Sequence, residues 1–254
     1  MSFGLRAGVL AVLLAPASVR ADHDHGAMQA GPSSFGASIA FVAASFDTMI
    51  YAGDYQSVVP SARWSNERFF VSAGLPLYRL LENGRTLYGP GDAMIHGRLV
   101  ALGSSDRARA GIALAVMAPT GDPLTGLGMG HVMVMPSAWG TMRRGDVTLA
   151  GAAGFGHALG GSTHQGHGAW PLVEPMNISE LTWSASGELE LAVALRAGVV
   201  FSGAVPVGEG NTRAVTGVRV VWTEGRVETT AAIQAGLAGD PFIFRGVLET
   251  ALRF

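Results

Sequence analysis

The chain has 254 residues, of which 48% are hydrophobic and only 14% charged, with 36 glycines, 12 prolines, no cysteine and a net charge of −2. A disordered chain would be richer in charge, a disulfide scaffold or thiolate metal cage needs the missing cysteines, and no Lys/Arg cluster offers a footprint for nucleic acid. The mean hydropathy of +0.32 is high for a protein bathed in water, so a membrane is a candidate for part of its solvent.

Residues 1–21 carry one early charge at Arg6, an apolar run over 7–15, Pro16 and a Val19-Arg20-Ala21 ending, which reads as a secretory signal peptide cleaved after Ala21. The run is too short to cross a bilayer as a helix, which takes roughly 20 apolar residues. The exported remainder then divides into a flexible periplasmic segment, 22–34, and a single domain, 35–254.

From residue 35 the pattern alternates with period two rather than 3.6. Over 188–201 one parity holds Leu189, Leu191, Val193, Leu195, Val199 and Phe201, and the other holds Glu188, Glu190, Arg196 and Gly198. Ala214, Val218, Val220 and Trp222 stand opposite Arg213, Gly217, Arg219 and Thr223. Val227, Ala231, Ile233 and Leu237 stand opposite Arg226, Glu228, Thr230 and Gln234, and Phe242, Phe244, Leu248, Leu252 and Phe254 opposite Arg245, Glu249 and Arg253. The polar faces hold Gly, Ala and Ser with sparse charge, which suits a crowded lumen better than a water-facing surface. A sheet in lipid has to close on itself to pair its backbone. Strands are expected over 35–46, 54–64, 67–80, 91–102, 108–118, 131–142, 146–157, 176–185, 188–201, 212–223, 226–238 and 242–254. The fold class is all-β: a single transmembrane antiparallel up-and-down β-barrel of about 12 strands.

Short turns are expected at 65–66, 103–107, 143–145, 186–187 and 224–225, and longer connections at 81–90, 119–130, 158–175 and 202–211. This is the asymmetry of outer-membrane barrels, whose short turns face the periplasm. Trp64, Trp183 and Trp222 are expected at the periplasmic ends of their strands as a lipid-facing aromatic girdle, with Trp139 turned inward.

The ending GVLETALRF resembles the last strand of bacterial outer-membrane proteins, which implies that Leu248, Leu252 and Phe254 form the signal read by the barrel-insertion machinery. Gly89-Pro90-Gly91-Asp92 and Pro119-Thr120-Gly121-Asp122, within the stretch 55–130, resemble the outer-membrane transporter family named for the MetA pathway of phenol degradation. That resemblance implies passage of small, aromatic or hydrophobic molecules and fixes no ligand. By themselves these motifs are turn chemistry: glycines for unusual backbone angles, prolines to end pairing and Asp122-Pro123 to start a turn.

The inner face is expected to carry His96, Arg98, Arg109, Glu188, Glu190, Arg196, Arg213, Arg219, Glu228, Arg245 and Glu249, which would set selectivity in an open pore or pair with one another to fill it. Seven His and ten Met raise a metal reading. His23 and His25 in the leader, with Asp22, Asp24 and Met28, are one candidate group. His131, His157, His164 and His167 around the long loop are another, for Cu or Zn, with a plain surface loop as the alternative. Met133 and Met135 share lumen parity with His131, and a thioether–imidazole set suits Cu(I), although methionine also simply fills space. No cofactor is otherwise required.

For catalysis, Ser162 with His164 and Ser137 with His131 are the candidate pairs, and neither sits in a hydrolase motif. The expected function is an outer-membrane channel for small molecules in a Gram-negative cell, in contact with lipid and with no nucleic-acid partner. The alternatives are a metal-handling surface protein and a closed structural barrel. The oligomeric state is open.

Overall fold

A computed structural model describes residues 33–47, 52–105, 107–160, 173, 176–239 and 242–254. The signal peptide and leader, with His23 and His25, and the loop with Ser162, His164 and His167, lie outside the described residues.

Fourteen strand segments form one antiparallel sheet: β1 (Ser34–Asp47), β2 (Ala52–Ser65), β3 (Phe69–Gly74), β4 (Leu77–Glu82), β5 (Arg85–Pro90), β6 (Ala93–Ser105), β7 (Ala108–Ala118), β8 (Val132–Arg144), β9 (Val147–Leu159), β10 (Ser179–Ala192), β11 (Leu195–Pro206), β12 (Arg213–Glu224), β13 (Val227–Ala238) and β14 (Phe242–Arg253). β1 pairs along its length with both β2 and β14, so the sheet closes into a barrel. β3 and β4 both pair with β2 and are two halves of one stave, while β5 and β6 continue one another on its other side. Fourteen segments less these two interruptions make twelve staves.

The first interruption falls at Leu75-Pro76, where proline has no N–H for the ladder. Pairing resumes at once, since Gly91 N–H donates to Pro76 O at 2.8 Å. At the second, a side chain on Gly91 would collide with the Tyr78 ring, its Cβ falling 2.3 Å from that ring's Cε2. The staves carrying β4 and β5 rise to a tight turn at Asn83-Gly84, with φ of 47° and 81°. The expected long connection 81–90 is therefore a hairpin. Its signature, Asn-Gly between alternating apolar residues, is the strongest short-range hairpin signal there is.

The expected turn at 186–187 is also displaced. β10 runs through those residues and turns at Val193-Ala194. The alternation could not locate this turn, because Glu188 faces Gly198 and Glu190 faces Arg196. Partners whose numbers share parity keep alternation unbroken through the hairpin, so every face was assigned correctly while the reversal was hidden. Trp183 moves with the correction. It sits near the long-loop end of β10 rather than in the girdle opposite, and its ring lies where a Gly203 side chain would stand. Trp64 and Trp222 keep their places at the short-turn ends of β2 and β12.

Phe242 is the remaining exception on β14. A register shift leaves Ser45 facing Phe244 and Phe46 facing Phe242, with Ile243 skipped, and this bulge rotates Phe242 into the lumen.

Elsewhere the outer face is apolar: Val218, Val220 and Trp222 on β12, Leu149 and Phe155 on β9, and Ile39 and Phe41 on β1 all project outward. Only lipid satisfies so continuous a greasy band around a closed sheet. Val218, mid-strand and 58% exposed, gives the test. Val218→Arg is expected to cost about 2–4 kcal/mol of folding stability in lipid vesicles, measured by denaturant titration, whereas Val218→Leu should be nearly neutral.

Candidate functional site: the lumen

The inward residues divide the lumen into unlike walls. β1 contributes Ala40, Val42, Ala44 and Phe46, β2 contributes Tyr55 and Val59, and β4 contributes Tyr78 and Leu80, all buried in one apolar cluster. Tyr55 and Tyr78 meet edge to face at 5.8 Å. From β10 round to β14, which borders β1, the lumen is lined with charge.

At the short-turn end these charges form an arc over five successive strands. Arg196 reaches Glu188 and Glu228, each at 3.4 Å, and Arg253 reaches Glu228 at 3.4 Å. Arg219 pairs with Glu188, both almost fully buried. Glu188, Gly198 and Arg219 occupy one rung of β10, β11 and β12. Glycine between them matters, because a Cβ there would stand 2.9 Å from Glu188 Cγ. Its missing side chain is the space in which carboxylate and guanidinium meet. Glu190, at the rim, pairs with Arg143.

Nearer the long-loop end, Arg213 donates to both oxygens of Glu180 at 2.7 Å. Glu180 is 0% exposed and also accepts from Asn177 N at 3.0 Å and Asn177 Nδ2 at 2.8 Å. Asn177 in turn holds Asn211 through both of that residue's backbone groups, tying the connections before β10 and before β12 together. Arg245 donates from Nε to Gln234 Oε1 at 2.8 Å and lies 4.1 Å over the Phe242 ring. Arg98 lies between the rings of Phe70 and Trp139, at 6.0 and 5.7 Å. Trp139 faces inward as expected. His96 is buried on the same inner face, and Arg109 and Glu249 are half-buried there.

Glu180 and Asp92 are the interior carboxylates that the sequence reading missed. Glu180 shares parity with Thr182 and Ser184, and a strand assigned from 176 to 185 left it legible in principle. Asp92 looked like turn punctuation. It sits instead at the heart of a collar outside the spanning strands, accepting from Gly121 N at 2.9 Å and Met129 N at 2.7 Å. Thr120 Oγ donates to Gly91 O at 2.7 Å and accepts from Ala93 N at 2.8 Å. The Gly89–Asp92 and Pro119–Asp122 motifs are thus one assembly. It folds the connection 119–131 inward and buries Leu127 among the apolar lumen residues. Burial raises the Asp92 carboxyl above its usual pKa, and the backbone N–H groups of Met129, Gly121 and Thr120 oppose that rise.

The two described histidines of the expected rim, His131 and His157, do not converge. His131 is buried, while His157 points outward, stacked on Phe155 and bonded through Nδ1 to Ser179 Oγ at 2.8 Å. Val134 is the residue opposite His157, so His131 and His157 lie on opposite faces of the wall, and the expected shared rim of imidazoles is not formed by these two. Among the described residues, no three His, Cys, Asp or Glu side chains gather as a metal cage.

A cavity of about 130 Å³ inside the barrel is lined by Met94, His96, Met135, Glu180, Arg213 and Arg245, among others, from β6 to β12 and β14. Fold and lining together define a class, that of a closed, membrane-spanning β-barrel of twelve staves with an amphipathic lumen. Solved structures share this fold. An outer membrane channel from Pseudomonas putida superimposes with a TM-score of 0.67 at 13% identity over 90% of this chain and 98% of that one. The translocator domain of the autotransporter NalP from Neisseria meningitidis gives 0.56 at 13% identity, over 93% and 94%. The likeness is one of fold. No protein-family model matches the chain, and no curated protein sequence does.

Two outcomes are expected. Glu188→Ala strips a buried partner from Arg219 and should lower stability by about 3 kcal/mol, whereas Glu190→Ala at the exposed rim should change it by less than about 1 kcal/mol, both read from denaturant titration. Asp92→Ala should release the connection 119–131, seen as faster proteolysis there and a higher single-channel conductance than wild type in planar bilayers.

Proposed function

We propose that the chain is an outer-membrane channel for small molecules of apolar or aromatic character, its short turns facing the periplasm and its collar facing outward. The observation that carries this reading is the lumen's mixed lining: an apolar wall of β1, β2 and β4 running on into strands of paired charge, and an internal cavity lined by Met94, Met135 and Met176 beside Glu180, Arg213 and Arg245. A solute with a greasy face and a polar edge, such as a phenol, matches a lining of methionine beside glutamate and arginine, while a strongly hydrated ion matches only the charged part. The resemblance of the two collar motifs to the phenol-degradation transporter family supports the same solute class. The inward charges would then act chiefly by holding one another and filling space. Leu252 on β14 and Phe254 just past its end are exposed, and Leu248 shares their parity, which supports reading the three as the C-terminal insertion signal.

Uptake of a phenolic panel into proteoliposomes decides between this reading and a closed barrel. Entry of phenols faster than of sugars of similar mass is the expected result, and Val42→Glu on the apolar wall should slow it severalfold while sparing ion conductance. Absence of both uptake and conductance would show a structural barrel without transport. Deleting Phe254 is expected to reduce the heat-modifiable, folded fraction in cells without altering the conductance of the barrels that do assemble.

A further inference from the structure

Seven methionines fall among the described residues, and six of them gather in one place inside the barrel. Met94 on β6, Met117 on β7 and Met133 on β8 are direct cross-strand partners. They form a single rung running across three adjacent staves, all buried. Directly opposed residues on neighbouring strands hold their Cβ atoms about 4.5–5.5 Å apart, well within the span of two thioether side chains. Met129, carried in by the collar, and Met176, from the segment before β10, close over the same cluster, and Met135 packs against it one rung away.

The remainder of the lumen shows that this is not a general habit of the core. The larger apolar cluster on β1, β2 and β4 is built from Ala, Val, Phe, Tyr and Leu without one methionine. Filling space in a barrel therefore did not call for thioethers elsewhere. The group is also reachable, since Met94, Met135 and Met176 line the internal cavity beside His96. Asp92, through Met129 N, fixes the arm that brings Met129 in.

Thioether sulfur is a neutral, soft donor. It binds hard or borderline divalent ions poorly and soft monovalent ones well, and with imidazole it suits Cu(I). We propose that the rung Met94–Met117–Met133, completed by Met129, Met135 and Met176, is a binding site for a soft monovalent cation, Cu(I), inside the lumen. The site is independent of the histidines of the leader and the long loop, and independent of whether phenols pass.

The test uses the folded full-length barrel in detergent. Cu(I), held reduced, is titrated in competition with a chromophoric Cu(I) chelator, with Ag(I) as a redox-inert second probe and Zn(II) as a hard-donor contrast. Wild type is expected to withdraw Cu(I) from the chelator, and X-ray absorption at the copper edge should show sulfur neighbours. The variant Met94→Leu/Met117→Leu/Met133→Leu keeps volume and hydrophobicity, and should lose affinity by about tenfold or more, at least what removing a supporting group costs at other metal sites. Zn(II) binding should be the same in both. Equal Cu(I) affinity in wild type and the triple variant, or a copper spectrum with only nitrogen and oxygen neighbours, would overturn the proposal. The absorption measurement on wild type decides the matter even if the triple variant fails to fold.

Discussion

Every backbone N–H and C=O inside a bilayer has to find its partner within the protein, because the hydrocarbon offers none. In this chain that constraint is met by one contact more than any other: β1, which pairs with β2 on one edge and β14 on the other over almost its whole length. Once the first and last strands meet, no open edge is left in the membrane, and the two faces of the sheet acquire separate fates. One face takes whatever lipid accepts. The other becomes a confined interior where size, charge and shape of side chains decide everything.

That interior is asymmetric because neighbouring strands specialise. The strands of the N-terminal third bring small and aromatic residues, and those of the C-terminal third bring arginine and glutamate. Charges in so confined a space are tolerable only when matched, and each arginine of the arc finds a glutamate two or fewer strands away. Glycine enters this scheme as a device for making room. Gly198 lets an ion pair form across an intervening strand, and Gly128 stands where a side chain would strike Asp92, its Cβ 2.6 Å from Oδ1. The collar adds a third layer. By folding the 119–131 connection inward it narrows the mouth and delivers Leu127 to one cluster and Met129 to the other, so a single carboxylate links the outer loops to the lining of the lumen.

Membership of the two faces was readable from the residues alone, since a period of two is insensitive to the exact ends of a strand. This is why Arg196, Arg219 and Glu228 share the inner parity whether the turn before β11 is set at 186–187 or at Val193-Ala194. The errors share one cause: events that preserve or break parity locally. A hairpin whose partners share parity leaves no mark on the alternation, as at Val193-Ala194. A bulge reverses the facing of a single residue, as at Phe242. The stave interruptions at Pro76 and Gly91 were marked by their residues, but as loop punctuation rather than as kinks in a continuing wall.

What the amino-acid sequence determined by itself is the closed barrel, its stave number and the inner or outer facing of nearly every described strand residue, because these follow from alternation, composition and the demand for paired backbone. Which inner residues touch was decided only in three dimensions. Cross-strand register brings Met94, Met117 and Met133 onto one rung though they are far apart in the chain, joins the two Gly-Asp motifs through hydrogen bonds, and separates His131 from His157 by the thickness of the wall. Register depends on turns and bulges, each the work of one or two residues, and its effects are felt dozens of residues away.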